Sequence, residues 1–224
     1  LVIDIAAHVG SLAAVIVYFR RDLLQMLTCW NPAPGHSSGR DRRLLLCLVL
    51  ASLPIMIIGY SLYDLVSAHF RNPVIIAIAT IVFALALWWA DRSGKRQRTL
   101  DDVTYRDAIL IGLAQAIALV PGTSRAGITM TAGLMLGMDR QAAARFSFLL
   151  AIPAIIMAGG YEGWRYFIRA SDTDWMAFSI VAIVSAVSAW LTIHYFLRFL
   201  QTTGMLPYVI YRIGLGIVLL AIFT

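Results

Sequence analysis

Apolar runs near or above the roughly 20 residues that cross a bilayer occupy 1–19, 44–66, 73–90, 175–197 and 206–224, with a shorter one at 146–160. About six transmembrane helices follow, and with them an all-α, polytopic membrane protein. Two further apolar runs are shorter, 13 residues at 108–120 and 11 at 128–138. At 1.5 Å per residue they reach only about 20 and about 17 Å into a hydrocarbon core about 30 Å thick. Joined through Pro121-Gly122 and Gly127, they predict a re-entrant helix-loop-helix over 108–138 that dips into the membrane and returns. Such a break is tolerated only where the backbone is buried in protein or lines a wet cavity.

Composition agrees: 60% hydrophobic, 13% charged, mean hydropathy +0.80. A net charge of +6 would suggest nucleic acid on a soluble module, but here the charges fall in short loops between apolar runs, which membrane topology explains. With the first span running outside to inside and the hairpin returning to its own side, thirteen Lys and Arg lie in inner loops, against Arg71, Arg165 and Arg169 outside. That is the positive-inside bias of a multi-pass membrane protein. Were the hairpin one full crossing, Arg140 and Arg145 would move outside and the bias would weaken. Cys29 falls in an inner loop and Cys47 inside a span, so both read as packing residues and no disulfide is expected.

One integral-membrane domain, 1–224, is expected, built as an inverted repeat. The second unit, 108–224, is a hairpin plus three spans; the first, 1–90, has three spans and no hairpin. An odd number of spans per unit sets the two units in opposite orientations, a plan common in transporters. Leu1 reads as the interior of a helix, so a hairpin is expected to precede it.

The chemistry concentrates at Val120-Pro121-Gly122-Thr123-Ser124-Arg125-Ala126-Gly127-Ile128-Thr129. An ionisable residue inside a membrane marks a site by default, because hydrocarbon offers a guanidinium neither water nor counter-ion. A Gly-rich turn feeding a short helix presents unpaired backbone N–H groups and the positive end of the helix dipole, which suits an anion. Gly122 and Gly127 allow close approach, Thr123 and Ser124 can cap the following helix, and Thr129 lies about one turn on. Arg125 adds a planar fork fitted to bidentate phosphate contact, which lysine does not reproduce. Phosphate or diphosphate is the expected ligand. The structural alternative is a proline-glycine kink with capping hydroxyls and a snorkelling arginine.

Pro121-Gly122-Thr123-Ser124-Arg125-Ala126-Gly127-Ile128-Thr129 resembles the Pro-Gly-x-Ser-Arg-Ser-x-x-Thr motif of the bacterial undecaprenyl-diphosphatase, or bacitracin-resistance, family. Further matching blocks lie at 15–23, 101–108, 111–115, 146–153 and 207–212, covering essentially the whole chain. The resemblance implies hydrolysis of undecaprenyl diphosphate to undecaprenyl phosphate and inorganic phosphate on the outer side of the cytoplasmic membrane, recycling the lipid carrier of peptidoglycan synthesis. It also implies dependence on a divalent cation, Mg²⁺ or Ca²⁺. By carry-over, Arg125 clamps the diphosphate, while Ser124 and Thr129 donate to its oxygens. The family's Glu-rich motif and Ser-Ser-Thr-Gly-His loop, from an amino-terminal hairpin, are not found in these residues, where Glu162 is the only glutamate. The nucleophile and general base are expected from that hairpin. Ala126 stands where the family commonly has serine.

Lesser signals carry two readings each. Asp4 and His8, four apart on one helical face, suit a metal or a water but are two ligands only, and otherwise pack as polar residues. Arg212, in an apolar helix, is either a second phosphate contact or half of a structural ion pair. Gln115 is placed to hydrogen-bond the loop. Trp88, Trp89, Trp164 and Trp175 fall near span ends, as an interfacial belt does. The segment 31–39 reads as a flexible inner loop. Membrane lipids are the other expected partners, and a homodimer is compatible with the pattern. The rival function is a polyprenyl-phosphate transporter or flippase, since re-entrant inverted repeats are also a transporter device. A phosphatidic-acid-phosphatase type is excluded, because its His and Asp positions are Thr131 and Met135 here.

Overall fold

The computed structural model describes residues 2–28, 38–69, 72–169 and 175–223, all helix and short turns apart from one isolated bridge. The helices are α1 (Val2–Tyr18), α2 (Arg20–Thr28), α3 (Ser38–His69), α4 (Pro73–Ser93), α5 (Tyr105–Ala116), α6 (Arg125–Met135), α7 (Arg140–Arg169), α8 (Trp175–Thr203) and α9 (Leu206–Phe223). Five of them, α3, α4, α7, α8 and α9, are long and apolar enough to cross a membrane. A sixth span results if α1 and α2, bent 73° apart, are taken together. The spans read from the apolar runs are therefore present, with two corrections. The short run at 146–160 is the middle of α7, which spans 30 residues because its first turns continue through Arg140 and Arg145. The first span ends in a turned helix, α2, whose polar first turn (Arg20, Arg21, Asp22) leaves the span direction.

Small residues let the long helices approach. A methyl group on Gly10 would overlap the Ala182 carbonyl, one on Gly112 would stand 2.5 Å from the Ala51 carbonyl, and one on Gly216 would stand 2.5 Å from Ile81. Close backbone packing of this kind replaces the hydrophobic driving force that lipid does not supply. The outward faces stay apolar and exposed, as at Ile180, Ile183 and Val184 on α8.

Between α4 and α7 the chain forms a hairpin. α5 starts at a capping box, with the Thr104 Oγ1 accepting from the Asp107 N–H and the Asp107 carboxylate accepting from the Thr104 N–H at 2.8 Å. It runs into a 3-10 turn, Ile117–Leu119, and breaks before α6. The second leg lies three residues earlier than the apolar run at 128–138 suggests, because Gly137 at φ 86° ends it. Arg98 closes the open end. Its guanidinium donates to both Asp107 carboxylate oxygens, at 3.1 and 2.5 Å, and to the Leu136 carbonyl at 3.0 Å, tying the start of α5 to the end of α6. The bond to Asp107 raises the Arg98 guanidinium further above its ordinary value. Both ends of 105–136 thus lie at one level, and a continuous rod is ruled out. A second tie uses Asp91, which accepts from Arg140 Nε at 2.6 Å and Nη2 at 2.9 Å and joins α4 to α7.

Cys47 is buried and unbonded in α3, as expected; Cys29 and 31–37 of the inner loop lie outside the described residues. So do the side chains of Arg71, Glu162, Trp164, Arg165 and Arg169. Trp88 and Trp89 are exposed near the end of α4, and Trp175 begins α8.

Candidate functional site: the hairpin tip

The tip of the hairpin, 120–124, sits among α4, α7 and α9. Gly122 turns it at φ 91°, a conformation that glycine adopts without Cβ strain. Its carbonyl accepts from Thr80 Oγ1 of α4 at 3.2 Å and from Arg212 Nη2 of α9. Ser124 follows at φ 65° and ψ 111°, a region costing a non-glycine residue about 1–3 kcal/mol and found mostly where function requires it. It is the N-cap of α6: its hydroxyl accepts from the Gly127 N–H at 3.2 Å, and its carbonyl accepts from the Ile128 N–H. The amides of Arg125 and Ala126, in the first turn, have no carbonyl one turn back to bond and lie at the positive end of the helix dipole.

Arg125 points into the protein. Its Nη1 donates to the Leu150 carbonyl of α7 at 3.1 Å. Three residues on, Pro153 lacks the N–H that would bond the Leu149 carbonyl, which loosens this turn of α7. No carboxylate pairs with Arg125 among the described residues. Arg212, 3% exposed, lies over the Tyr208 ring at 5.9 Å, and its Nη1 has no hydrogen-bond partner. Among the described residues Arg212 has no carboxylate partner, so in place of the structural ion pair its partners are a loop carbonyl and an aromatic face. The same Nη1 would stand 2.8 Å from a Cβ at Gly127, so the second arginine reaches the first turn of α6.

The other expected residues divide. Thr123 is fully buried, with Oγ1 unpartnered, so it does not cap α6. Thr129 is 2% exposed; its hydroxyl meets Ser147 Oγ of α7 at 2.7 Å and its own helix carbonyls at Arg125 and Ala126. Gln115 donates to the Ala51 carbonyl of α3 at 3.4 Å rather than to the loop, and its Oε1 is unpartnered. Asp4 and His8 meet through the Asp4 backbone carbonyl, 2.7 Å from His8 Nδ1. Among the described residues no three His, Cys, Asp or Glu side chains gather to hold a metal. The polar groups around the break are guanidiniums, helix amides and hydroxyls, a donor set that does not fit a divalent cation.

Sequence reasoning missed Tyr208, whose hydroxyl lies 2.9 Å from Ser124 Oγ. A signal was available, since Tyr208 stands four residues before Arg212 and hence on the same helical face. Thr80 and Ser147 carried no such signal, because Thr80 reaches the loop, and Ser147 reaches α6, from another helix.

Fold and site together define a polytopic membrane protein with a broken-helix hairpin whose tip gathers hydrogen-bond donors. Residues 1–218 match the family described as bacitracin resistance protein BacA, and the chain belongs to that family. It is 46% identical over 220 residues to the undecaprenyl-diphosphatase of Teredinibacter turnerae, covering 98% of this chain and 83% of that protein. It is also 46% identical over 226 residues to the undecaprenyl-diphosphatase of Nitrosococcus oceani, covering 100% and 85%. Identity to undecaprenyl-diphosphatase 2 of Stutzerimonas stutzeri is 44% over 228 residues, covering 100% and 84%.

Proposed function

We propose that this protein hydrolyses undecaprenyl diphosphate to undecaprenyl phosphate and inorganic phosphate, returning the lipid carrier to peptidoglycan synthesis. The supporting observation is the Gly-rich break itself, where the unpartnered Arg212 Nη1 reaches the first turn of α6 and its first amides, with Arg125 as the first residue of that helix. Such a set stabilises charge that develops on phosphoryl oxygens, in a site with little water to compete. Arg125 grips the diphosphate, and Arg212 and the Gly122–Gly127 backbone complete the cradle. When Tyr208 donates to Ser124 Oγ, the serine proton is released toward a substrate oxygen. No His or carboxylate contacts Ser124 among the described residues, so Ser124 is assigned to holding the phosphate rather than to attacking it. A water oxygen bonds the terminal phosphorus as the bridging P–O bond breaks toward undecaprenyl phosphate. Thr129 acts from behind, fixing α6 on α7 through Ser147, and Thr123 and Gln115 shape the packing under the loop.

A divalent cation, Mg²⁺ or Ca²⁺, belongs to the proposal on the family resemblance alone, its ligands lying outside the donor set above. The inverted-repeat plan, with units 1–90 and 108–224, remains part of the proposal; of its counterpart helices α4 packs on α9, whereas α1 packs chiefly on α8. In this reading the protein lies in the bacterial inner membrane with the tip reached from the periplasm, an orientation that the excess of Lys and Arg in the inner loops supports. No step requires a homodimer. Turnover of this kind also accounts for bacitracin resistance, the property for which the family is described.

Phosphate release from undecaprenyl diphosphate by the purified full-length protein tests the reading, with Mg²⁺ or Ca²⁺ present and with chelator as the control. Cation-dependent release is expected. Tight binding of the lipid diphosphate with no phosphate freed would replace the enzyme with a polyprenyl-phosphate transporter.

A further inference from the structure

At the arginine-rich end of the bundle, the ends of α1 and α8 and the starts of α2 and α7 enclose an open cavity of about 530 Å³. One wall is cationic: Arg145 and Arg198, with His194 beside them. The other is aromatic, from Tyr18 and Phe19. Asp22 contributes the facing carboxylate and pairs with Arg145 Nη2 at 2.7 Å, but this pair is partly open, its side chains 41% and 23% exposed. Arg198 has no carboxylate partner among the described residues. The wall therefore carries two guanidiniums against one carboxylate, a net positive cavity.

The level of the cavity is set by α2. This helix leaves α1 at 73°, carries Asp22 to the cavity and leaves Leu24 and Leu27 exposed, as a helix lying in the plane of an interface does. On the lipid-facing side, Leu191, Tyr195 and Phe199 of α8 stand exposed beside His194 and Arg198. We propose that the cavity is a phosphate-binding site for the headgroup of an anionic membrane lipid, with the phosphate on Arg198 and Arg145 and the acyl chain along α8. Basic pockets between spans at the cytoplasmic level recognise anionic lipids in this way. Free phosphate would use the same guanidiniums but none of the apolar wall, and it fills only a small part of the volume.

The test uses the full-length protein in nanodiscs of phosphatidylcholine with or without phosphatidylglycerol, reading retained lipid by native mass spectrometry, with inorganic phosphate added as a separate arm. Preferential retention of phosphatidylglycerol is expected, weakened about fivefold by Arg198→Gln, near what one basic residue at a membrane surface contributes. Melting in phosphatidylcholine alone should be unchanged. Asp22→Asn, which frees Arg145, should tighten retention. Equal retention of the two lipids, or a preference that Arg198→Gln leaves intact, would overturn the site. Loss of the preference on adding millimolar phosphate would overturn the lipid and leave a soluble phosphate as the ligand.

Discussion

Replacing Gly122 by alanine tests whether loop geometry, rather than the presence of Arg125 alone, makes the site. The residue sits at φ 91°, where an L side chain costs about 1–2 kcal/mol. Its Cβ would overlap the Ile76 carbonyl of α4 and stand 3.0 Å from Thr80 Oγ1. Ile76 presents backbone inside a packed helix and cannot swing aside, so the loop must retreat. A retreat stretches the bonds from Thr80 and Arg212 to the Gly122 carbonyl, worth about 1 kcal/mol for the neutral donor and about 1.5–3 for the charged one. The combined local cost is roughly 4–6 kcal/mol. Because displacement by about 1 Å can cost a catalytic site about 100-fold, kcat/KM for phosphate release should fall by about that factor or more. Gly137→Ala is the control. It has a similar φ of 86°, but the nearest atom to its Cβ would be Arg98 Cδ at 3.7 Å, so only backbone strain applies. That variant should lose about 1–2 kcal/mol of stability and less than about twofold in kcat/KM. Phosphate release and thermal melting of the two purified variants decide the matter. Normal turnover in Gly122→Ala, or equal losses in both, would refute the reasoning.

Arg125→Lys should reduce turnover by about 100-fold or more with melting unchanged, since a point charge does not reproduce the fork; near-normal turnover would remove Arg125 from the mechanism. Tyr208→Phe removes one neutral hydrogen bond to Ser124, and kcat/KM should fall about threefold to tenfold, whereas an unchanged value would show that Ser124 needs no such partner. Asp107→Asn unclips the hairpin from Arg98; discounting for the 32% exposure of the Arg98 side chain, the loss is about 2 kcal/mol, or about 4–8 °C of melting temperature by calorimetry. The Thr99 N–H, and then its hydroxyl, hold the Asp102 carboxyl below its ordinary value. Its support of the 99–102 turn is therefore complete above about pH 4 and lost as pH falls through the lower folded value. Protease cleavage near 96–104 should rise in that window, and protection that persists to about pH 2 would refute it.

Much of this protein was legible in its residues taken in order. Hydrocarbon demands about 20 apolar residues per crossing, so spans such as 73–90 and 206–224 could be read by length, and 108–120 and 128–138 failed to cross for the same reason. A charged Arg125 beside two glycines marked the tip, because charge in lipid is too costly to be incidental. Only the tertiary structure decided what those groups touch. Arg212 turned to the Gly122 carbonyl, Thr129 to Ser147, Gln115 to α3 and Ser124 to Tyr208, each across a gap between separate elements of the fold. Periodicity states which residues share a face of one helix. Which faces meet is fixed by how closely backbones can approach at Gly10, Gly112 and Gly216, and by ties such as Arg98 to Asp107 and Arg140 to Asp91, none of which leaves a trace in a single helix read alone.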